Sequence, residues 1–315
     1  MGGFVGTRVG RAAAAAVLLL LAACEGSGPS PPPRTAPGTI IVGSFDFPES
    51  EVLAEVYGQA LESKGLPVRL ALNLGPRELV EPALLRGLVH LVPEYQGSAL
   101  DFLSGPQTAV ADPATTHASL DRRLARTSAL ALRSAPAQDA NAFAVTGATA
   151  RRYHLEKISD LVPIADRLVF GGPRECPHRP LCLQGLRDVY ELSFRHFSPL
   201  DTGGSLTYAA LTSGDVDVAE VFSSDPVVAE RGFVLLRDDL GLEPAENVTP
   251  VVSRALVRRY RDRLTATIDA VSARLTSRQL VSINRSVAGG LSPAAVAARW
   301  LAGQGLTPSP RRSVG

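Results

Sequence analysis

The 315-residue sequence lacks the short motifs that accompany common catalytic chemistry. It has no Gly-x-Ser-x-Gly elbow, no Walker phosphate loop, no Gly-x-Gly-x-x-Gly after a predicted strand and no His-Glu-x-x-His motif. The histidines are scattered along the chain, at His90, His117, His154, His178 and His196. A binding role fits this scarcity better than catalysis does. We therefore predict a protein that is not an enzyme, with no cofactor and no metal site.

Lysine and net charge are also scarce. Lys64 and Lys157 are the only lysines among 32 basic residues, and the formal net charge is +1. Removal of residues 1–23 would take away Arg8 and Arg11 and no acid, which gives 1 − 2 = −1. No basic surface for nucleic acid is left, so we expect no nucleic-acid partner.

Apolar runs long enough to cross a membrane are missing. The run from Ala12 to Ala22 is shorter than the ~20 residues that a membrane-spanning helix needs. It leads into Leu21-Ala22-Ala23 directly before Cys24, which is the cleavage pattern of an exported lipoprotein. We predict a signal peptide over residues 1–23, lipid on Cys24 and an extracytoplasmic protein anchored to the bacterial cell membrane. The alternative is an ordinary signal peptide with an incidental cysteine.

The segment after Cys24 has the composition of a linker. Residues 24–38 are rich in proline, glycine and serine, which cannot bury a core and favour an extended tether. The folded part is therefore expected to begin near Thr39.

Cysteine is rare, and two of the three cysteines lie six residues apart. Cys176 and Cys182 lie in a proline-rich stretch, Pro173 to Pro180, and outside the cytoplasm two such thiols favour a short-loop disulfide. A zinc site with His178 is the alternative, although a convincing fourth ligand is missing.

Strand and helix patterns alternate through the folded part. Buried strands are predicted at 39–44, 68–74, 88–92, 142–146, 168–170, 194–197, 216–221 and 233–236. Helices are predicted between them, including one from Asp112 to about Leu132, and in three pieces after Val257. This alternation predicts an α/β fold with a mostly parallel sheet, and ligands in such sheets bind at the carboxyl ends of strands.

Nine motifs, in order, resemble those of the glycine betaine, choline and carnitine binding proteins of osmoprotectant ABC importers. They are Ile41–Ser50, Asn73–Gly75, Pro93–Ser98 (PEYQGS), Ile158–Leu161, Gly185–Tyr190, Ala210–Asp217, Phe222–Asp225, Leu236–Asp239 and Asn247–Val252. The resemblance covers residues 39 to about 305. It implies a two-lobed, type II periplasmic-binding-protein-like fold with two crossing hinge strands. Lobe 1 would comprise 39–142 plus 248–310, and lobe 2 would comprise 143–247.

The resemblance also implies an aromatic cage for the ligand. A trimethylammonium group has charge but no N–H donor, so aromatic faces hold it through cation–π contacts. The positions of this chain that match the cage are Tyr95, Asn141, Tyr208 and Phe222. Asn141 replaces an aromatic residue, and its donor and acceptors suit a ligand with N–H or O–H groups better than a fully methylated ammonium.

Four further residues are candidates for the ligand site. Ser98 and Arg179 match positions that meet an anionic end of the ligand, although Arg179 could instead be one exposed arginine among many. Phe45 and Phe47 follow the first strand and could line the site, or could pack as a hydrophobic staple before the next helix.

The function implied is capture of a small quaternary-ammonium or related polar solute for delivery to an ABC permease. One alternative is the same scaffold with another small polar solute, such as an amino acid derivative. Others are a receptor that presents its solute to a membrane sensor and a secreted α/β enzyme that uses Asp46, Glu49 or Asp225.

Overall fold

Two sheets, each flanked by helices, make up the folded part of the molecule. The computed structural model describes residues 1–3, 38–106 and 108–306. The described residues from Gly38 onward belong to one compact unit. The predictions for residues 1–23, for Cys24 and for most of the tether lie outside the described residues.

Ten strands are present in the described part of the chain. They are β1 Ile40–Gly43, β2 Val68–Ala71, β3 Leu91–Tyr95, β4 Ala129–Ala131, β5 Asn141–Thr146, β6 Val169–Pro173, β7 His196–Leu200, β8 Val218–Phe222, β9 Phe233–Leu236 and β10 Val248–Ser253. The first sheet has the order β2-β1-β3-β10-β4, and the second has the order β7-β6-β8-β5-β9.

Helices of the described residues connect and cover these strands. They are α1 Pro48–Ser63, α2 Arg77–Leu85, α3 Gln96–Ser104, α4 Pro113–Leu124, α5 Gly147–Tyr153, α6 Leu183–Tyr190, α7 Ser205–Ser213, α8 Pro226–Glu230, α9 Arg254–Tyr260, α10 Asp262–Ser272, α11 Ser277–Ala288 and α12 Pro293–Gly303. None of them, within the described ranges, has the length and apolarity to cross a bilayer.

Each sheet has its own hydrophobic core. Side chains of α1, α10, α11 and α12 pack with β1, β3 and β10 around the first sheet. The second sheet is covered on both faces, because successive residues of a strand point to opposite sides. Phe143 and Val145 face one core, and Ala144 on the same strand faces the other.

The α/β class is confirmed, but both sheets are mixed and not mostly parallel. β10 runs antiparallel to β3 and β4, and β5 runs antiparallel to β8 and β9. The predicted helix from Asp112 to Leu132 is wrong in its second half, since α4 ends at Leu124 and β4 follows. Pairing of β4 with β10 overrides the helix propensity of this Ala- and Leu-rich segment.

The chain crosses between the sheets twice. The segments 132–140 and 237–247 link them, and the two crossings hydrogen-bond to each other. Asp139 N donates to Glu246 O at 3.1 Å, and Gln138 pairs with Asn247 in an isolated antiparallel bridge. The cavity described next lies beside these crossings.

Candidate functional site

A cavity of about 470 Å³ lies between the two sheets. Its walls come from the segments that follow β1, β6 and β7, from the ends of β3 and β8 and the start of β5, from the start of α2, from α3 and from the crossing segment that contains Asp139. Six of the eight predicted ligand-binding residues line it, namely Phe47, Tyr95, Ser98, Asn141, Arg179 and Phe222. Its position is that expected for ligands of α/β proteins.

One face of the second sheet forms a wall of this cavity. In the antiparallel register, Asn141 lies opposite Phe222 and Phe143 lies opposite Glu220. Side chains alternate along a strand, so Asn141, Glu220 and Phe222 point to the same face. All three line the cavity.

The aromatic residues form a continuous surface that runs from Phe222 on this wall to Phe47 and Tyr95. The ring centroid of Phe47 lies 5.1 Å from that of Phe222 and 6.1 Å from that of Tyr95, with tilted planes. Phe45 stacks on Phe47 with centroids 5.9 Å apart. Phe45 does not line the main cavity and instead lies in a small side pocket with Arg77 over its ring at 5.0 Å.

Tyr208 lies in a neighbouring cavity of about 270 Å³, which it shares with Phe222 but not with Tyr95 or Asn141. Its hydroxyl donates to Asp225, and its ring stacks on Phe233 with centroids 5.9 Å apart. Phe47 and Phe222 line both cavities, so the contact between their rings lies where the two cavities meet.

Glu49 is a buried carboxylate beneath the aromatic surface. It accepts hydrogen bonds from the Tyr95 hydroxyl at 2.5 Å, from the Ser224 hydroxyl at 2.7 Å and from the Asn284 amide. Burial raises the pKa of Glu49, and burial beside Glu49 raises the pKa of Asp139. The Tyr95 hydroxyl is thus held by Glu49, while its ring is left for the cavity.

Both arginines of the cavity are already paired with acids. Arg77 Nη2 lies 3.0 Å from Oε2 of Glu94, which is fully buried, and Arg179 Nη2 lies 2.9 Å from Oε2 of Glu78. Arg179, which we predicted to meet an anionic end of the ligand, is therefore held by Glu78 in this structure.

Ser98 is also committed to an acid. Its hydroxyl donates to Glu246 Oε1 at 2.6 Å, and the adjacent Gly97 N donates to Glu246 Oε2 at 3.0 Å. Burial raises the pKa of Glu246 to about 7. The Ser98 hydroxyl, which was predicted to donate to the ligand, thus donates to Glu246 in this structure.

Cys176 and Cys182 form a disulfide, with Cα atoms 5.2 Å apart. The sulfur atoms lie close to a carboxylate oxygen of Glu220, and these three groups form a cluster within 4.8 Å. His178, which the zinc alternative would require, is not in this cluster. Because the sulfurs are bonded to each other, neither is a thiolate that could bind zinc.

Three acids beside the site were not among the predicted ligand-binding residues: Glu49, Asp139 and Glu220. Glu220 could have been found from the pattern Val218-Ala-Glu-Val-Phe222, where strand alternation places it on the same face as Phe222. Glu49 and Asp139 carry no such signal, because their burial results from contacts between distant segments.

The sequence profile of the OpuAC family, the substrate binding domain of the ABC-type glycine betaine transport system, matches residues 38–303. The glycine betaine-binding protein YehZ of Escherichia coli K12 is 26% identical over 87% of this chain and 93% of its own length. The carnitine transport binding protein OpuCC of Listeria monocytogenes is 24% identical over 84% and 86%. The ergothioneine transport permease/ergothioneine binding protein EgtU of Helicobacter pylori is 24% identical over 79% of this chain, which spans 44% of that protein.

Solved structures share the fold. A glycine betaine/carnitine/choline ABC transporter structure has a TM-score of 0.66 at 24% identity, covering 85% of this chain and 99% of the other. Lactococcal OpuAC, in its closed-liganded form with glycine betaine, has a TM-score of 0.61 at 13% identity, covering 85% and 96%. These likenesses confirm the predicted type II periplasmic-binding-protein fold.

Proposed function

We propose a function from the premise that this chain belongs to the family of substrate-binding domains of ABC-type glycine betaine transport systems. The protein captures a small quaternary-ammonium or related polar solute outside the cytoplasmic membrane and delivers it to an ABC permease. The relatives are named as binding proteins for glycine betaine, carnitine and ergothioneine, and these names support a solute of this kind. No chemical step is involved; binding and release of the solute are the function.

The observation that carries the proposal is the aromatic surface of the main cavity. Phe47, Tyr95 and Phe222 present adjoining rings in a cavity of about 470 Å³, a volume within the ~300–1,000 Å³ range of small-molecule sites. A methylated ammonium group donates no hydrogen bond, so rings of this kind are its best partners, at ~0.5–2 kcal/mol per contact.

Closure of two lobes around the solute completes the proposed mechanism. The lobes would comprise 39–142 plus 248–310 and 143–247, with segments 132–140 and 237–247 as the hinge. The solute stabilises the closed arrangement because it contacts both walls of the cavity only in that arrangement.

Truncation of one aromatic ring tests the site. Phe222→Ala should weaken the binding of quaternary-ammonium solutes at least tenfold, because one π face and its apolar contact are lost. Isothermal titration with glycine betaine, carnitine and choline measures the change. Tyr153→Ala is the matched control, since Tyr153 lies on α5 outside both cavities. Equal affinities for the Phe222 variant, the control and the unchanged protein would contradict the proposed site.

The lipid anchor is a separate part of the proposal and rests on Leu21-Ala22-Ala23-Cys24. Cys24→Ser should move the protein from the membrane fraction to the soluble fraction of cells. Retention of this variant on membranes after salt and carbonate washes would contradict lipidation of Cys24.

A further inference from the structure

Glu220 is a buried acid at the cavity wall that receives no hydrogen bond from the described residues. Glu220 is 3% exposed, and among the described residues the polar atom within hydrogen-bond distance of its carboxylate is Cys182 Sγ, 2.9 Å from Oε2. A disulfide sulfur carries no hydrogen, so this contact supplies no donor. A buried carboxylate without a donor is costly, and native structures rarely keep one without a reason.

A second acceptor lies beside it on the neighbouring strand. The Asn141 side chain donates through Nδ2 to Leu181 O at 2.9 Å, which directs its carbonyl oxygen away from that bond. Asn141 and Glu220 are diagonal neighbours in the register of β5 and β8, and both line the cavity. The second-sheet wall therefore offers acceptors where a ligand could bring donors.

The charges around the cavity favour a cationic ligand. Arg77 and Arg179 are paired with Glu94 and Glu78, and neither donates a hydrogen bond to Glu220, although Arg179 is close enough to lower the pKa of Glu220. Asp139, a further acid of the wall, accepts hydrogen bonds from Ser223 Oγ and Ser224 N, and burial beside Glu49 raises its pKa.

We propose that Glu220 accepts a hydrogen bond from an O–H or N–H group of a cationic solute, and so selects quaternary-ammonium alcohols and amines over zwitterions with a carboxylate. This rests on the proposed function, in which the aromatic surface holds the ammonium group. The donor end of the solute then reaches the second-sheet wall. A carboxylate at that end would meet the like charge of Glu220, which disfavours it.

Three probe solutes that differ at one end separate the effect of the hydrogen-bond donor from the effect of the carboxylate charge. Choline has an O–H donor, its O-methyl ether keeps the charge and the ammonium group but lacks the donor, and glycine betaine has a carboxylate. The protein should bind choline at least tenfold more tightly than either of the others, because a site built to pair with a donor rejects an analogue that lacks one. Isothermal titration at about pH 8 measures all three affinities.

Glu220→Gln tests the role of the carboxylate. It should reduce the preference for choline over the ether and strengthen binding of glycine betaine relative to choline, because Gln is similar in size but uncharged. Glu156→Gln is the matched control, since it removes one acid from an exposed position outside the cavity and should leave all three affinities unchanged. Thermal unfolding of each variant verifies that it is folded.

The outcomes separate this inference from the proposed function. Glycine betaine binding as tightly as choline, or a preference for choline over its ether that survives in Glu220→Gln, would overturn the role of Glu220 while leaving the proposed function in place. No binding of any of the three probes would overturn both.

Discussion

Glu49 and Glu220 are both buried acids beside the same cavity, and they differ in their hydrogen-bond donors. Glu49 is held by Tyr95, Ser224 and Asn284, so its oxygens are occupied by the protein. Glu220 has none of these and lies over Gly172, where an added Cβ would come within 3.2 Å of its Oε2. At the residue scale, one acid therefore contributes to the architecture of the site, and the other is left for a ligand.

This difference predicts the pH dependence of stability. Burial raises the pKa of Glu220 from 4.5 to about 7. The stability associated with its protonated form is fully present below pH 4.5 and is lost as the pH rises through about 7. The shift corresponds to on the order of 3 kcal/mol. Glu220→Gln should therefore raise the free energy of unfolding at about pH 8 and have little effect near pH 5.

Urea unfolding of the ligand-free protein at both pH values measures this effect. Charged groups near Glu220 also contribute, because Arg179 lowers its pKa and Glu175 raises it. The Glu220→Gln variant removes only the titration of Glu220. The difference in unfolding free energy between the variant and the unchanged protein therefore reports on that group alone. A stabilisation of equal size at both pH values would show that packing, and not ionisation, is responsible.

At the element scale, the disulfide fixes the loop between β6 and α6. This loop brings Arg179, Pro180 and Leu181 to the cavity. Leu181 O accepts a hydrogen bond from Asn141 on β5, and Arg179 pairs with Glu78 on α2. The loop therefore contacts both the second sheet and a helix of the first-sheet half. Its conformation therefore affects the shape of two walls.

Removal of the disulfide should weaken both the fold and the site. Closing so short a loop contributes about 2 kcal/mol in the chain-entropy description, so Cys176→Ser with Cys182→Ser should lower the unfolding free energy by about that amount. Solute affinity should also fall, because Arg179 and Leu181 are no longer held. Thermal unfolding and titration with and without reductant measure both effects. Reductant should lower the stability and affinity of the unchanged protein and leave those of the double variant as they are. Two free thiols in the unchanged protein would contradict the Cys176–Cys182 disulfide.

Sequence patterns predicted most of the strands and helices but few of the pairings between strands. The β1 strand, α1 helix and β9 strand follow from local apolar periodicity and from Pro48 at the helix start. The short β4 strand was predicted as helix, because its partner β10 is more than 100 residues away in sequence and leaves no local trace.

The same distinction holds for the site. Six of the eight predicted ligand-binding residues line one cavity, and they were predicted from motifs that resemble those of the family. The pairing of Arg179 with Glu78 and the location of Tyr208 in a neighbouring cavity depend on the packing of distant segments. Those features could not be predicted from spacing alone.

At the scale of the whole molecule, polar contacts join the half built on the first sheet to the half built on the second. Glu78 on α2 pairs with Arg179 at 2.9 Å, and Arg285 on α11 pairs with Glu230 on α8 at 3.0 Å. Ser224 also donates to Glu49 at 2.7 Å, in a buried position. Two ion pairs and one buried hydrogen bond thus link the two halves.

Loss of one exposed pair should favour the open arrangement. Glu78→Gln should weaken solute binding about two- to fivefold in dilute buffer, because an exposed ion pair typically contributes ~1 kcal/mol or less. The effect should disappear in about 1 M salt, where screening acts over ~3 Å. Titration with choline at both salt concentrations measures it.

Arg187→Gln provides the matched control for this prediction. It breaks the exposed Arg187–Asp188 pair, which lies within the second half, and should not change affinity. A loss of affinity in Glu78→Gln that persists in full at high salt would mean that Glu78 acts through a direct contact with the solute.

The position of β10 has a consequence for the order of folding during synthesis. β10 lies between β3 and β4 in the first sheet, although 116 residues separate Ala131 from Val248 in the sequence, since 248 − 131 − 1 = 116. The first sheet is therefore incomplete until residue 253 has been made, and β4 has no strand partner before then. The second sheet needs only residues 141–236. A chain that emerges in order can thus assemble the half built on the second sheet first and the half built on the first sheet last.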